Sequence, residues 1–108
     1  MATDKEYLHF ILDQLSEPDG ITYRAMMGEY ILYYNGKIAA YLCDDRLLVK
    51  PVAAALEKMP NARRELPYEG AKEMLLVENV DARAFLQSLF RAMEPQLPAP
   101  KKRSARKG

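Results

Sequence analysis

Cys43 and His9 are the only thiol and the only imidazole in the 108 residues, so thiol–imidazole catalysis would have to join these two. Cys43 closes a strand-like stretch, where a free cysteine behaves as a small apolar residue. His9 follows Leu8 on a helical stretch and is expected half exposed, so no such pair is expected. One cysteine and one histidine also fall short of the ligand sets that zinc, haem or iron–sulfur clusters require. Asp44-Asp45 could offer oxygens to a hard cation, but aspartate tolerates left-handed backbone and bonds its own chain, so a turn is the simpler reading. Arg63-Arg64 could hold an anion, and a solvated loop pair is simpler again. The phosphate-cradling, nucleophile-elbow and metalloprotease motifs are absent from the sequence, and spacing singles out no acid–base pair among the carboxylates. No catalytic residue, metal or cofactor is therefore expected. Arg24, Tyr68 and Glu69 remain as candidate polar groups for a small ligand between sheet and loop.

Binding offers more than catalysis. Of seven tyrosines, Tyr30, Tyr33, Tyr34, Tyr41 and Tyr68 form a candidate interaction surface, because tyrosine couples a large apolar area to a polar tip. Strand side chains alternate faces, so any assignment leaves aromatics on the side of the sheet away from the helices. The tail contributes Lys101, Lys102, Arg103, Arg106 and Lys107 with no acid, a composition that attracts phosphates without sequence specificity. Five of the 16 basic residues lie there, which leaves 11 against 15 acidic ones in the body, so overall charge does not favour a nucleic-acid surface on the folded part. No aromatic is interleaved in the tail to stack on bases.

The elements that must position these residues follow from periodicity. Thr3 and Glu6 have the spacing of a capping box, and Leu8, Ile11, Leu12 and Leu15 recur at helical intervals to about Ser16. Glu17-Pro18-Asp19-Gly20 stops that helix. Residues 21–26, 30–34, 37–43 and 46–50 read as consecutive strands, with Asn35-Gly36 a strong signal for a type I′ hairpin and Asp44-Asp45 a second turn. Pro51 opens a short helix that ends at Pro60, residues 61–70 form a polar loop, and residues 72–78 form a last strand. Asp81 caps a final helix lined by Phe85, Leu86, Leu89, Phe90 and Met93. The expected order is α-β-β-β-β-α-β-α: a two-layer α+β fold with an antiparallel sheet of about five strands and helices on one face. Residues 1–96 form the domain and 97–108 a disordered basic tail. The N-terminus is polar where a signal peptide needs a basic and then apolar stretch, and no apolar run reaches the roughly 20 residues that cross a bilayer, so a cytoplasmic protein without a membrane partner is expected.

Arg24-x-Met26-x-Gly28-x-Tyr30, followed by "LYYNGK", an acidic turn and "LLVKP", resembles the N-terminal domain of the TfoX/Sxy family of bacterial competence regulators. "LPYEGAKEMLLV" from Leu66 to Val77 and the closing helix extend the resemblance from about Thr3 to Pro95. It implies a two-layer α+β fold and a part in regulating natural transformation genes, where full-length relatives act with the cyclic-AMP receptor protein. Those regulators continue into a second, helical domain, where this chain has its basic tail. The family supplies no catalytic residues to carry over. The expected function is a non-enzymatic regulatory or protein-interaction module, with a transcription factor such as the cyclic-AMP receptor protein, or a second copy, as partner. Weak nucleic-acid association through the tail and a small-ligand or cryptic enzymatic domain are the alternatives. Gly28 is expected to make a bulge or tight bend, sending one of Met26 and Met27 into the core. Arg24 is expected to anchor a carboxylate such as Glu29 or Glu69, or to stay in solvent.

Overall fold

A computed structural model describes residues 3–16 and 20–98. Along the chain run α1 (Lys5–Gln14), β1 (Ile21–Met26), β2 (Glu29–Tyr34), β3 (Lys37–Cys43), β4 (Arg46–Val49), α2 (Ala53–Lys58), β5 (Arg64–Glu65), β6 (Met74–Val77) and α3 (Arg83–Met93), with a 3-10 turn at Glu94–Gln96. The strands form one sheet in the order β1-β2-β3-β4-β6-β5, antiparallel at every pairing. The α+β class and the element order match expectation, and β5 is the addition. Two residues inside a polar loop carry no alternation, so nothing in the sequence marks them as a strand. The helix stop expected at residues 17–19 and the tail residues 99–108 lie outside the described residues.

Three two-residue turns make the meander from β1 to β4. Met27-Gly28 (φ 52° and 84°), Asn35-Gly36 (53° and 80°) and Asp44-Asp45 (55° and 56°) all lie in the left-handed region at both positions. That is the type I′ geometry, whose twist matches the right-handed twist of the strands it joins. Gly28 therefore makes the tight bend rather than a bulge. The irregularity lies elsewhere: Leu32 pairs with Ala40 but Tyr33 with Ile38, which leaves Ala39 as the extra residue of β3. Its carbonyl is not wasted, since it accepts from the Lys50 N–H at 3.0 Å.

The core fills the space between one sheet face and the helices. Leu32 and Tyr34 of β2, Ala40 and Leu42 of β3, Leu47 and Val49 of β4, and Leu75 and Val77 of β6 meet Leu8 and Ile11 of α1, Ala55 of α2, and Leu86, Leu89, Phe90 and Met93 of α3. Leu97, at the head of the expected tail, is packed into this core. Polar side chains lock α1 to α3: Gln87 donates to the Gln14 carbonyl at 3.0 Å, Gln14 donates to the Val80 carbonyl at 2.8 Å, and Arg83 pairs with Asp13 at 2.8 Å.

Helix starts depart from the sequence reading in instructive ways. Asp4, not Thr3, caps α1 by accepting from the Glu6 N–H at 3.2 Å. Thr3 is drawn instead to the β3–β4 turn, where its hydroxyl accepts from the Asp45 N–H at 3.3 Å. The α2 helix starts at Ala53, and its Ala54 N–H donates to the Gln96 side chain at 2.7 Å, a cap supplied from the far end of the chain. Ala82 precedes α3 without a side-chain cap, so Asp81 does not serve there.

The end of α3 is tied to the β2–β3 turn. Lys37 Nζ lies 2.6 Å from Glu94 Oε2 and donates to the Glu94 carbonyl at 2.8 Å, while the Asn35 amide donates to Oε2 at 3.2 Å. The bond from Lys37, then that from Asn35, holds the Glu94 carboxyl below its ordinary range. A carboxyl depressed on folding adds stability above its unfolded pKa and loses it as pH falls through the folded value. Glu94→Gln is therefore expected to melt below wild type at neutral pH, the gap closing as pH drops below the ordinary carboxylate range. Melting curves across that range check it; a gap independent of pH goes against it.

Candidate interaction surface

Register decides which tyrosine faces where. Directly paired residues share a face, so Tyr30 with Leu42 and Leu32 with Ala40 look toward the helices, while Ile31 with Tyr41 and Tyr33 with Ile38 look away. Tyr34 is buried in the core and Tyr30 packs against it, so these two do not lie on the far face. Tyr33 and Tyr41 do, both half-buried, and Tyr68 joins them from the loop after β5, its ring centre 6.0 Å from that of Tyr41. The five candidate tyrosines are thus split between two layers.

The far face is not bare. Ile31, Cys43, Leu48 and Met74 are buried there, apart from the main core. Part of their cover is the loop between β5 and β6, whose Pro67 is buried. Arg46 fastens this loop: its guanidinium donates to the Cys43 carbonyl at 3.1 Å, pairs with Glu65, and reaches the Leu66 carbonyl at 3.5 Å. A half-open cleft of about 340 Å³ remains between loop and sheet, lined by Tyr41, Lys50, Tyr68, Lys72 and Glu73 among others. Tyr68 lines it, but neither Arg24 nor Glu69 does, so the three polar groups proposed for a ligand are not gathered there.

Cys43 has no exposed surface, and burial, reinforced by the Glu29 carboxylate, pushes its thiol up to about 12. Such a thiol stays protonated and unreactive. His9 is exposed on α1, on the opposite side of the sheet, so no Cys–His pair forms. Among the described residues no group of three His, Cys, Asp or Glu could hold a metal ion. Nor is any helix among them long and apolar enough to cross a membrane.

The family-signature residues collect on the β1–β2 hairpin. Every residue of β1 after Ile21 is exposed. Arg24, paired with Ile31, is exposed and makes no ion pair with a described residue, Glu29 and Glu69 included. Neither methionine enters the core: Met26 is 36% exposed and Met27 95%. Met26 pairs with Glu29 on the face away from the helices, and Met27 stands in the turn itself, so neither is directed at the core. The turn is braced from below, where the Thr3 N–H donates to the Gly28 carbonyl at 2.9 Å. The exposed apolar set of Tyr23, Met26 and Met27 escaped the sequence reading. The available signal was Met27-Gly28 standing between two strands at the same two-residue spacing as Asn35-Gly36. The basic tail, Lys101, Lys102, Arg103, Arg106 and Lys107, lies outside the described residues.

The family model of the TfoX N-terminal domain matches residues 13–91 of the chain. An uncharacterised 12.7 kDa protein encoded in the trpE 5′ region of Spirochaeta aurantia is 39% identical over 107 residues, covering 98% of this chain and 93% of that protein. No solved structure gives a significant match.

Proposed function

The chain belongs to the TfoX N-terminal domain family, and from that premise we propose that it is a non-enzymatic regulatory module that binds another protein through the tip of its β1–β2 hairpin. One observation carries the reading. Met27 holds a left-handed backbone, φ 52°, with 95% of its surface in water. A left-handed conformation costs a residue with a Cβ roughly 1–2 kcal/mol, and a large apolar side chain gains nothing from solvent. Strain of this kind persists at sites where function retains it. Methionine is also the side chain that adapts best to an irregular partner surface, and Met26, 36% exposed, adds apolar area next to it in the chain. A cytoplasmic role in competence-gene regulation, with a transcription factor such as the cyclic-AMP receptor protein as partner, belongs to the same proposal.

Met27→Asn separates stability from binding. Asn-Gly is the favoured type I′ pair, and the same protein uses it at Asn35-Gly36. The variant is expected to gain about 1 kcal/mol, which raises the melting temperature of a domain this size by roughly 4–8 °C. It is also expected to lose the protein that the immobilised wild-type chain retains from a bacterial lysate. Identical captures by wild type and variant would sink the hairpin as the docking site.

A further inference from the structure

The two edges of the sheet are built differently. At one end β5 is two residues long and flanked by charge, with Arg46 and Arg63 both paired to Glu65. Short, charged edges are how sheets discourage further pairing. At the other end β1 is six residues long, contains no proline or lysine, and is exposed at every residue after Ile21. Nothing blunts it.

Parity shows which backbone groups are free. Met26 and Glu29 close the two-residue turn and pair in register, and hydrogen-bonded pairs then recur at every second residue along an antiparallel ladder. The Asn35 N–H bonds the Gly20 carbonyl at 2.9 Å, which places Gly20 in the same bonded series. Thr22, Arg24 and Met26 therefore spend their amides and carbonyls on β2. Those of Ile21, Tyr23 and Ala25 point outward from the sheet.

We infer that this edge pairs with β1 of a second copy, antiparallel and about a twofold axis through Tyr23, joining the two sheets into one. Symmetry restricts the register. A twofold that relates antiparallel neighbours stands perpendicular to the sheet, so it preserves faces and must set a residue opposite itself. Centring on Arg24 puts two arginines directly opposite each other, which is destabilising. Centring on Tyr23 sets Ile21 opposite Ala25 and Tyr23 opposite Tyr23, so all the outward N–H and C=O groups are bonded. Arg24 then faces Thr22 of the second copy, and the two tyrosines meet as an aromatic pair on the helix side. This pairing goes beyond the hairpin reading and does not depend on it, since an antiparallel arrangement sends the two Met27 tips in opposite directions.

Sedimentation or light scattering of the full chain is expected to give twice the 12.3 kDa chain mass. Tyr23→Lys places two like charges on the axis and is expected to halve that mass while leaving the circular dichroism unchanged. Register is read by cross-linking. Paired Cα atoms at a hydrogen-bonded position lie about 5.5 Å apart, within disulfide reach, so Tyr23→Cys is expected to form a covalent dimer under mild oxidation and Arg24→Cys is not. Buried Cys43 leaves the background low. A chain that remains at 12.3 kDa throughout, or cross-links through Arg24→Cys as readily as through Tyr23→Cys, overturns the proposal. So does a β1 whose amides gain protection from exchange only when an extended peptide of different sequence is added. Met27→Asn should keep the doubled mass, so loss of capture and loss of pairing are told apart.

Discussion

Phe90→Ala is expected to lower the unfolding free energy by about 3–5 kcal/mol. Phe90 is wholly buried on α3, among the largest side chains in the core that faces the sheet. Its removal forfeits the transfer free energy of the ring and leaves a cavity whose walls, Leu86, Leu89 and Met93 among them, are fixed by one helix. A domain of this kind holds roughly 5–15 kcal/mol in all, so the variant should sit near the edge of folding at room temperature. Urea midpoints at unchanged slope check the figure. Phe85→Ala is the control, because Phe85 is only half-buried against the same core and should cost less than half as much. Equal losses at the two positions would show that helix propensity, not packing, was measured.

Arg46→Ala is the second large effect, expected at about 2 kcal/mol, from charge-assisted hydrogen bonds moderated by partial solvent screening. The Arg46 and Glu65 side chains are 30% and 25% exposed. Removing the guanidinium strands a partly buried carboxylate and frees two carbonyls, those of Cys43 and Leu66. The loss should be local before it is global: amides of β5 and the following loop exchange faster, and Cys43 becomes open to alkylation. Arg46→Lys should rescue little, since a lone ammonium cannot reproduce a fork that spans three acceptors. Adding Glu65→Ala to Arg46→Ala should cost little more than Arg46→Ala alone. A full additive penalty would show that the two side chains act separately.

The sequence made the local events legible and left the long-range ones hidden. Helical spacing from Leu8 to Leu15 and from Phe85 to Met93, and the turn chemistry of Asn35-Gly36 and Asp44-Asp45, are short-range signals, and each produced the expected element. β5 was invisible because its two residues are held by β6 and by Arg46 from 19 positions away. The caps failed for a related reason. Thr3 has the right spacing to cap α1, but the Asp45 amide competes for its hydroxyl, and Gln96 caps α2 from 42 residues downstream. Of the tyrosines, alternation told that neighbours diverge, but which set meets the helices depends on where the bulge at Ala39 and the packing of α3 place the core. Met26 and Met27 were misread because Met27 is a turn residue and not a strand residue, and pairing with Glu29 turns Met26 to the face away from the helices.

The two-residue turns of the meander also set a timetable. β1 to β4 join through contacts between near neighbours in sequence, and hairpins of this kind close in about 1–10 μs. The helix that covers their apolar face begins at Arg83, after a further stretch of chain that the ribosome delivers at roughly 5–20 residues per second. Between those events lies an interval of seconds in which Leu32, Leu42, Leu47 and Val49 form one side of a partly built sheet with only α1 and the short α2 available to cover it. Until α3 closes over it, that apolar face is the part of the growing chain most prone to aggregate.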